Sequence, residues 1–126
     1  MVSITAEPIN PTALYERIAK GSSGSVVFHY AVVKEQADAS GRTSCIDYRA
    51  TDGGVQEMEG IVADLKERWQ VEDILLIRRT GCLAIGDIIS LVAASSPNSE
   101  DAFEACKQGI SRLKRMATIV KNEMYS

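Results

Sequence analysis

Positive charge is not in excess in this 126-residue chain: 14 Lys and Arg stand against 17 Asp and Glu, for a net charge of −3 and a sequence pI of about 5.2. Without an overall positive field there is no general pull toward nucleic acid or an anionic membrane, so an anionic ligand would have to be held by a local cluster. Cysteine is scarce as well. Cys45, Cys82 and Cys106 are widely spaced, form no Cys-x-x-Cys pair and have a single histidine, His29, to join them. That excludes the usual zinc sets, and the three are expected to be reduced core thiols rather than disulfide partners. Long apolar runs are also missing. A run such as Ile74 to Ile77 is far too short to cross a bilayer, and Met1 to Lys20 holds no continuous apolar stretch of the export type. A cytoplasmic protein, with no membrane and no nucleic-acid partner, is the expectation.

Nucleotide-binding fingerprints are absent too. No Gly-x-Gly-x-x-Gly or Walker pattern occurs, which leaves Gly21, Gly24, Gly53 and Gly54 as turn glycines. With one histidine and no matching Ser or Cys motif, hydrolase triads have no basis. His29 lies inside an apolar strand and reads as a packed or hydrogen-bonded ring with no catalytic role. The remaining composition, 45% apolar and 25% charged, is that of one compact domain spanning 1–126, with no internal repeat.

Hydrophobic periodicity then divides the chain. Val2, Ile4 and Ala6 alternate with polar residues and predict a strand, followed by a helix that Asn10 caps, Pro11 begins and Gly21 ends. Ser25 to Lys34 reads as a long strand, Glu35 to Gly41 as a mobile polar loop, and Thr43 to Arg49 as the second strand of the same pair. After the Asp52-Gly53-Gly54 turn, Met58, Ile61, Val62, Leu65 and Trp69 mark an amphipathic helix. Asp73 to Arg79 and Asp87 to Ala94 follow as strands, joined through Thr80-Gly81 and the Ile85-Gly86 turn. A last helix begins after Pro97-Asn98-Ser99 with Glu100 and Asp101 at its positive end; Phe103, Cys106, Ile110 and Leu113 are its expected buried stripe. Residues 122–126 are expected to fray. The order predicts an α+β fold, an antiparallel or mixed sheet with helices on one side.

Taken alone, the basic segment from Arg112 to Lys121 is a solvated helix end. Its wording says more. Ala102-Phe103-Glu104-Ala105-Cys106 leading to Leu113-Lys114-Arg115-Met116-Ala117-Thr118-Ile119-Val120-Lys121-Asn122-Glu123 is similar to the AFEA…LK-x-x-AP-[IF]-WK-x-E ending of the MoaE family. Both lysines keep that family's spacing. Gly24-Ser25-Val26-Val27-Phe28 resembles its GAVV-T-F strand, and Ile77-Arg78-Arg79-Thr80-Gly81-Cys82-Leu83-Ala84-Ile85-Gly86-Asp87 resembles I-x-HR-x-G-x-L-x-x-GE. The motifs run in family order from Gly24 to Lys121, with 1–23 forming an N-terminal strand and helix.

The resemblance implies an α/β hammerhead fold and a dimer of large subunits in a heterotetramer with a small ubiquitin-like sulfur carrier of the MoaD type. It implies molybdopterin synthase chemistry: sulfur passes from the carrier's C-terminal thiocarboxylate to cyclic pyranopterin monophosphate to make the dithiolene, with no permanently bound cofactor. Carried onto this chain, Lys114 and Lys121 become the catalytic residues, at the tail and the substrate respectively. Lys34, Asn98, Ser99 and Ile110 become substrate-binding positions. The chemistry suits the residue types, since both reactants are anions and an amine can serve as nucleophile or base. Lys34 takes the place of a family arginine, Asn98-Ser99 that of a His-Arg pair reaching across the dimer, and Thr118 that of a proline. A second reading is a non-catalytic relative that docks a ubiquitin-like partner without turnover.

Overall fold

The structure, a computed structural model, describes residues 1–35, 37, 38 and 41–125. In chain order it runs β1 (Val2–Thr5), α1 (Pro11–Arg17), β2 (Ser25–Val32), β3 (Ala37–Asp38), β4 (Gly41–Ala50), α2 (Gly54–Arg68), β5 (Asp73–Arg79), β6 (Gly81–Ala84), β7 (Ile88–Ser96), α3 (Ser99–Lys114) and β8 (Ile119–Tyr125). The first sheet has the order β1-β5-β7-β2, with β1 parallel to β5 and the other pairs antiparallel. The second joins β3-β4-β6, and β8 lies along β4.

Helices α2 and α3 share one face of the first sheet, as expected, whereas the short α1 packs on the other. Met58, Ile61 and Leu65 of α2 and Ala105, Cys106 and Leu113 of α3 enclose Ile74, Leu76, Val92 and Ala94. On the opposite face Leu14 and Ile18 cover Leu75, Ile77, Leu91 and Ala93. A strand buried on both faces needs no polar alternation, which is why β5 reads as an unbroken apolar run. Gly109 lets α3 lie close: a Cβ there would come within 2.9 Å of Val92 Cγ1.

Local signals account for most element ends. The Ala13 N–H donates to Asn10 Oδ1 at 3.3 Å, and the Asp101 N–H to Asn98 Oδ1 at 2.8 Å, so both asparagines cap helices. Gly53, at φ 90°, takes the left-handed conformation that starts α2 without strain. Helix α1 stops at Ile18, before Gly21.

Five expectations need correction. Strand β4 does not pair with β2; β2 bulges at Ala31/Val32, and β4 belongs to the second sheet. The link from Thr80 to Gly86 contains strand β6. Residues 122–125, expected to fray, pair with β4, while 126 lies outside the described residues. Phe103 is exposed, because the helix needs small residues, Ala102, Ala105 and Gly109, where it meets the sheet. Cys45 and Cys82, on the adjacent strands β4 and β6, are joined as a disulfide with a Cα–Cα distance of 5.7 Å, leaving only Cys106 as a core thiol. The loop expectation for Glu35 to Gly41 falls partly outside the described residues; within it Ala37 and Asp38 pair back onto β4.

Candidate functional site

The second sheet packs its inner face on the end of the first through Val33, Ile46, Tyr48, Leu83 and Ile89. Beside this contact opens a cavity of about 560 Å³. Its wall carries Lys34, Arg78, Lys114 and Lys121, and among the described side chains no carboxylate. In a chain of net charge −3, that is a local reversal of sign, suited to holding an anion in partly desolvated surroundings.

Each cation arrives by a different route. Lys114 is the last residue of α3, where basic side chains also suit the negative end of the helix dipole. Lys121 lies opposite Tyr48 in the β4–β8 ladder; Ile119, two residues earlier, packs at the sheet contact, so strand alternation turns Lys121 the same way. The interval between these lysines is therefore a helix end, a turn and a returning strand, not two turns of one helix. Lys34 follows β2 directly after Val33, whose N–H donates to Asp87 O at 3.0 Å and whose carbonyl accepts from Gly86 N at 2.8 Å. Arg78 comes from the core strand β5 and is only 7% exposed. Its guanidinium carbon sits 4.6 Å from the centre of the Tyr48 ring, and burial lowers its affinity for the proton.

The turn that brings Lys121 back toward Lys114 is held from α2. Glu57 accepts from Ala117 N at 3.0 Å, Thr118 N at 3.1 Å and Thr118 Oγ1 at 2.6 Å, while Thr51 N donates to Thr118 O at 2.7 Å. These bonds, the Thr118 hydroxyl first, hold the Glu57 carboxyl below its ordinary value of 4.5. Where the family motif has a proline, this chain fixes the turn by hydrogen bonds that a proline could not donate.

Of the six positions singled out by sequence, Lys34, Lys114 and Lys121 meet at this cavity. Asn98, Ser99 and Ile110 do not. Asn98 and Ser99 start α3, about 24 Å from Lys114 at 1.5 Å per helical residue. Ile110 is half-buried against the main core. Sequence reasoning missed Arg78 and the lining role of His29, whose Nδ1 is buried without a hydrogen-bond partner. The signal for Arg78 was available: it continues the Ile74, Leu76 register of a buried face.

Cys106 is outside the site. Its thiol donates to Val92 O at 3.6 Å, and burial pushes its pKa up to about 11. No helix among the described residues is long and apolar enough to cross a membrane.

Residues 4–116 match the family model described as MoaE protein. The chain is 30% identical to the molybdopterin synthase catalytic subunit of Bacillus subtilis over 97% of its own length and 78% of that protein's, and 30% identical to the one from Nostoc over 98% and 75%. Among solved structures, the molybdopterin synthase of Staphylococcus aureus superposes with a TM-score of 0.90 at 29% identity, covering 98% of this chain and 90% of the other. A chain of the complex of subunits 1 and 2 of the molybdopterin-converting factor from Helicobacter pylori shares the fold at a TM-score of 0.76 and 14% identity, over 98% and 84%.

Proposed function

The chain belongs to the MoaE family, and we propose from that premise that it is the catalytic subunit of a cytoplasmic molybdopterin synthase. Its substrate is then cyclic pyranopterin monophosphate, its sulfur source the thiocarboxylate tail of a small ubiquitin-like subunit, and no resident cofactor is needed. The observation that carries this reading is the convergence of Lys34, Lys114 and Lys121, from three separate parts of the chain, on one cavity with no carboxylate among its described side chains. A carboxylate there would pair with the amines and compete with both anionic reactants; none of the described lining side chains is one.

In this reading Lys114, at the rigid end of α3, stands beside the thiocarboxylate carbon and acts as nucleophile or base. Lys121 and Lys34 hold the substrate's negative charge. The tail enters extended, and its sulfur leaves for the pterin in two rounds. Asn98, Ser99 and Ile110 serve the pocket of the neighbouring subunit, so the working unit is a homodimer carrying two small subunits. The distance of Asn98 and Ser99 from Lys114 within one chain supports a cross-subunit role for that pair over one in their own cavity.

The test is to mix the chain with a thiocarboxylated small subunit and the cyclic precursor and to measure the molybdopterin formed. Lys114→Ala is expected to abolish transfer while the complex with the small subunit still forms in a pull-down, because docking uses a wide surface and the chemistry one amine. Lys114→Arg is expected not to rescue it, since guanidinium keeps its proton at neutral pH. Complex formation by the unaltered chain without any transfer would make it an interaction module instead.

A further inference from the structure

The family resemblance gives Arg78 no role, yet it is the most deeply buried cation at the cavity. On one face of β5, Ile74 and Leu76 are enclosed by α2 and α3, and Arg78 follows in the same register where that cover ends. Ser90 and then Ala31 lie beside it across the sheet, with His29 one step further along β2. The Tyr48 ring supports the guanidinium on one side.

Among the described residues Arg78 has no counter-charge. Arg78 Nε is buried without a hydrogen-bond partner, and among the described residues no carboxylate pairs with this side chain. The other arginines of the core region are provided for: Arg79 lies 3.7 Å from Asp87, and Arg112 bonds to Asp64 at 2.7 Å. A buried guanidinium with no anion and an unmet donor is unfavourable unless something from outside completes it. It sits on the wall of an open cavity that is also lined by His29, whose Nδ1 is a second unmet polar atom.

We propose that Arg78 is the anchoring residue of an oxyanion subsite on the floor of this cavity, its planar fork taking two acceptor atoms of one anionic group. The geometry wanted is that of a phosphate or of a carboxylate-type chain end, which an arginine binds in two-pronged fashion and a lysine cannot. With Lys34 standing where the family has arginine, Arg78 supplies the guanidinium from below. Which anion occupies the subsite in turnover, the pterin phosphate or the partner's tail, rests on the synthase reading; the subsite itself does not.

The experiment follows thermal unfolding and calorimetric titration of the wild type, Arg78→Met and Arg78→Lys, with inorganic phosphate in one arm and a synthetic peptide ending in Gly-Gly carboxylate in the other. Ionic strength is matched with chloride. At least one of these anions is expected to raise the wild-type Tm, and Arg78→Met to weaken that anion by ~10–100-fold, with Arg78→Lys between the two. Response to phosphate alone assigns the subsite to the substrate, and response to peptide alone assigns it to the tail. Without ligand, Arg78→Met is expected to melt at or above the wild-type temperature, because it removes an unpaired buried charge and keeps an unbranched apolar stem. The proposal is overturned if neither anion stabilises the wild type, if Arg78→Met binds as tightly, or if Arg78→Met melts lower with binding intact. Anion binding through Arg78 in a protein that transfers no sulfur would refute the synthase reading alone. Sulfur transfer with unchanged binding in Arg78→Met would refute this one alone.

Discussion

At its N-terminal end α3 is closed by its own chain; at its C-terminal end Lys114 opens onto the cavity with no ion pair among the described residues. The first turn is a sealed network. Asn98 accepts from Asp101 N at 2.8 Å, Asp101 Oδ2 accepts from Gln70 N at 2.9 Å, and Ser96 Oγ donates to Gln70 O at 2.6 Å while accepting from Asn98 N at 3.1 Å. Glu100 and Asp101 also meet the positive end of the helix dipole. The last turn delivers Lys114 to a wall that holds three further cations and, among the described side chains, no acid. The chain thus completes its polar groups where α3 must be fixed and, among the described residues, leaves cations without a counter-charge where the proposed anion would bind. Rigidity at one end makes the open end a defined site instead of a loose one.

If the open end works by charge, Lys121 should tolerate a change of cation better than its loss. Lys121→Ala is expected to lower molybdopterin formation by ~100-fold, and Lys121→Arg to retain much more activity, with part of each loss in apparent affinity. Steady-state rates across precursor concentrations check this. Full activity in the alanine variant would make Lys121 a solvated surface charge on β8, and the contrast between the two ends would fail.

How far the sequence reached follows the same division. Elements whose burial is apolar were legible: the 3.6-residue stripe of α2, the run that becomes β5 and the asparagine caps all come from signals that residue type carries directly. Strand β8 was not, because one of its faces borders the cavity with Lys121, which breaks the usual apolar alternation. Strand β6 is only four residues long and looks like a turn. The β4 pairing was misread because neighbours in sequence were assumed to pair in space, whereas the bulge in β2 diverts the chain into a second layer. The Cys45–Cys82 link depends on that pairing and was hidden with it. The lysines of the site were legible only through family wording, and Arg78 only to a reader who extended the buried register of β5 by one step.

Between the two ends, the bonds from Glu57 to the turn at Ala117 and Thr118 give an effect of intermediate size. Its carboxyl is held below its ordinary value in the folded chain, so its contribution to stability is complete above about 4.5 and is lost as pH falls through the lower folded value. Glu57→Gln removes the charge but keeps the side-chain volume. It is expected to lower the Tm at neutral pH by a few degrees, and the gap from wild type is expected to narrow on acidification below the ordinary value of 4.5. Thermal scans across that range decide it. A gap that stays constant with pH would mean that shape, and not the charged hydrogen bonds, holds the turn and so spaces Lys114 from Lys121.

The smallest expected effect lies at the sealed end, where a cap and a pocket residue make opposite demands on Asn98. Asn98→Asp keeps an acceptor for the Asp101 N–H and places negative charge at the positive end of α3, both favourable for a cap. It also sets a carboxylate near Asp101 and costs the amide's 3.3 Å hydrogen bond to Asp101 Oδ2, so stability should shift by no more than about 1 kcal/mol. If Asn98 does nothing beyond capping, precursor affinity is untouched. If it reaches the neighbouring subunit's pocket in the homodimer, the added charge repels the substrate's phosphate and the apparent affinity falls, more steeply at low salt than at high. We expect the second outcome, with a loss of ~3–10-fold at low ionic strength, matching at most 1.4 kcal/mol. Titration of precursor against wild type and Asn98→Asp at two salt concentrations separates the cases. An unchanged affinity at both would confine Asn98 to its own helix and leave the cavity's cations to hold the anion without help from across a dimer.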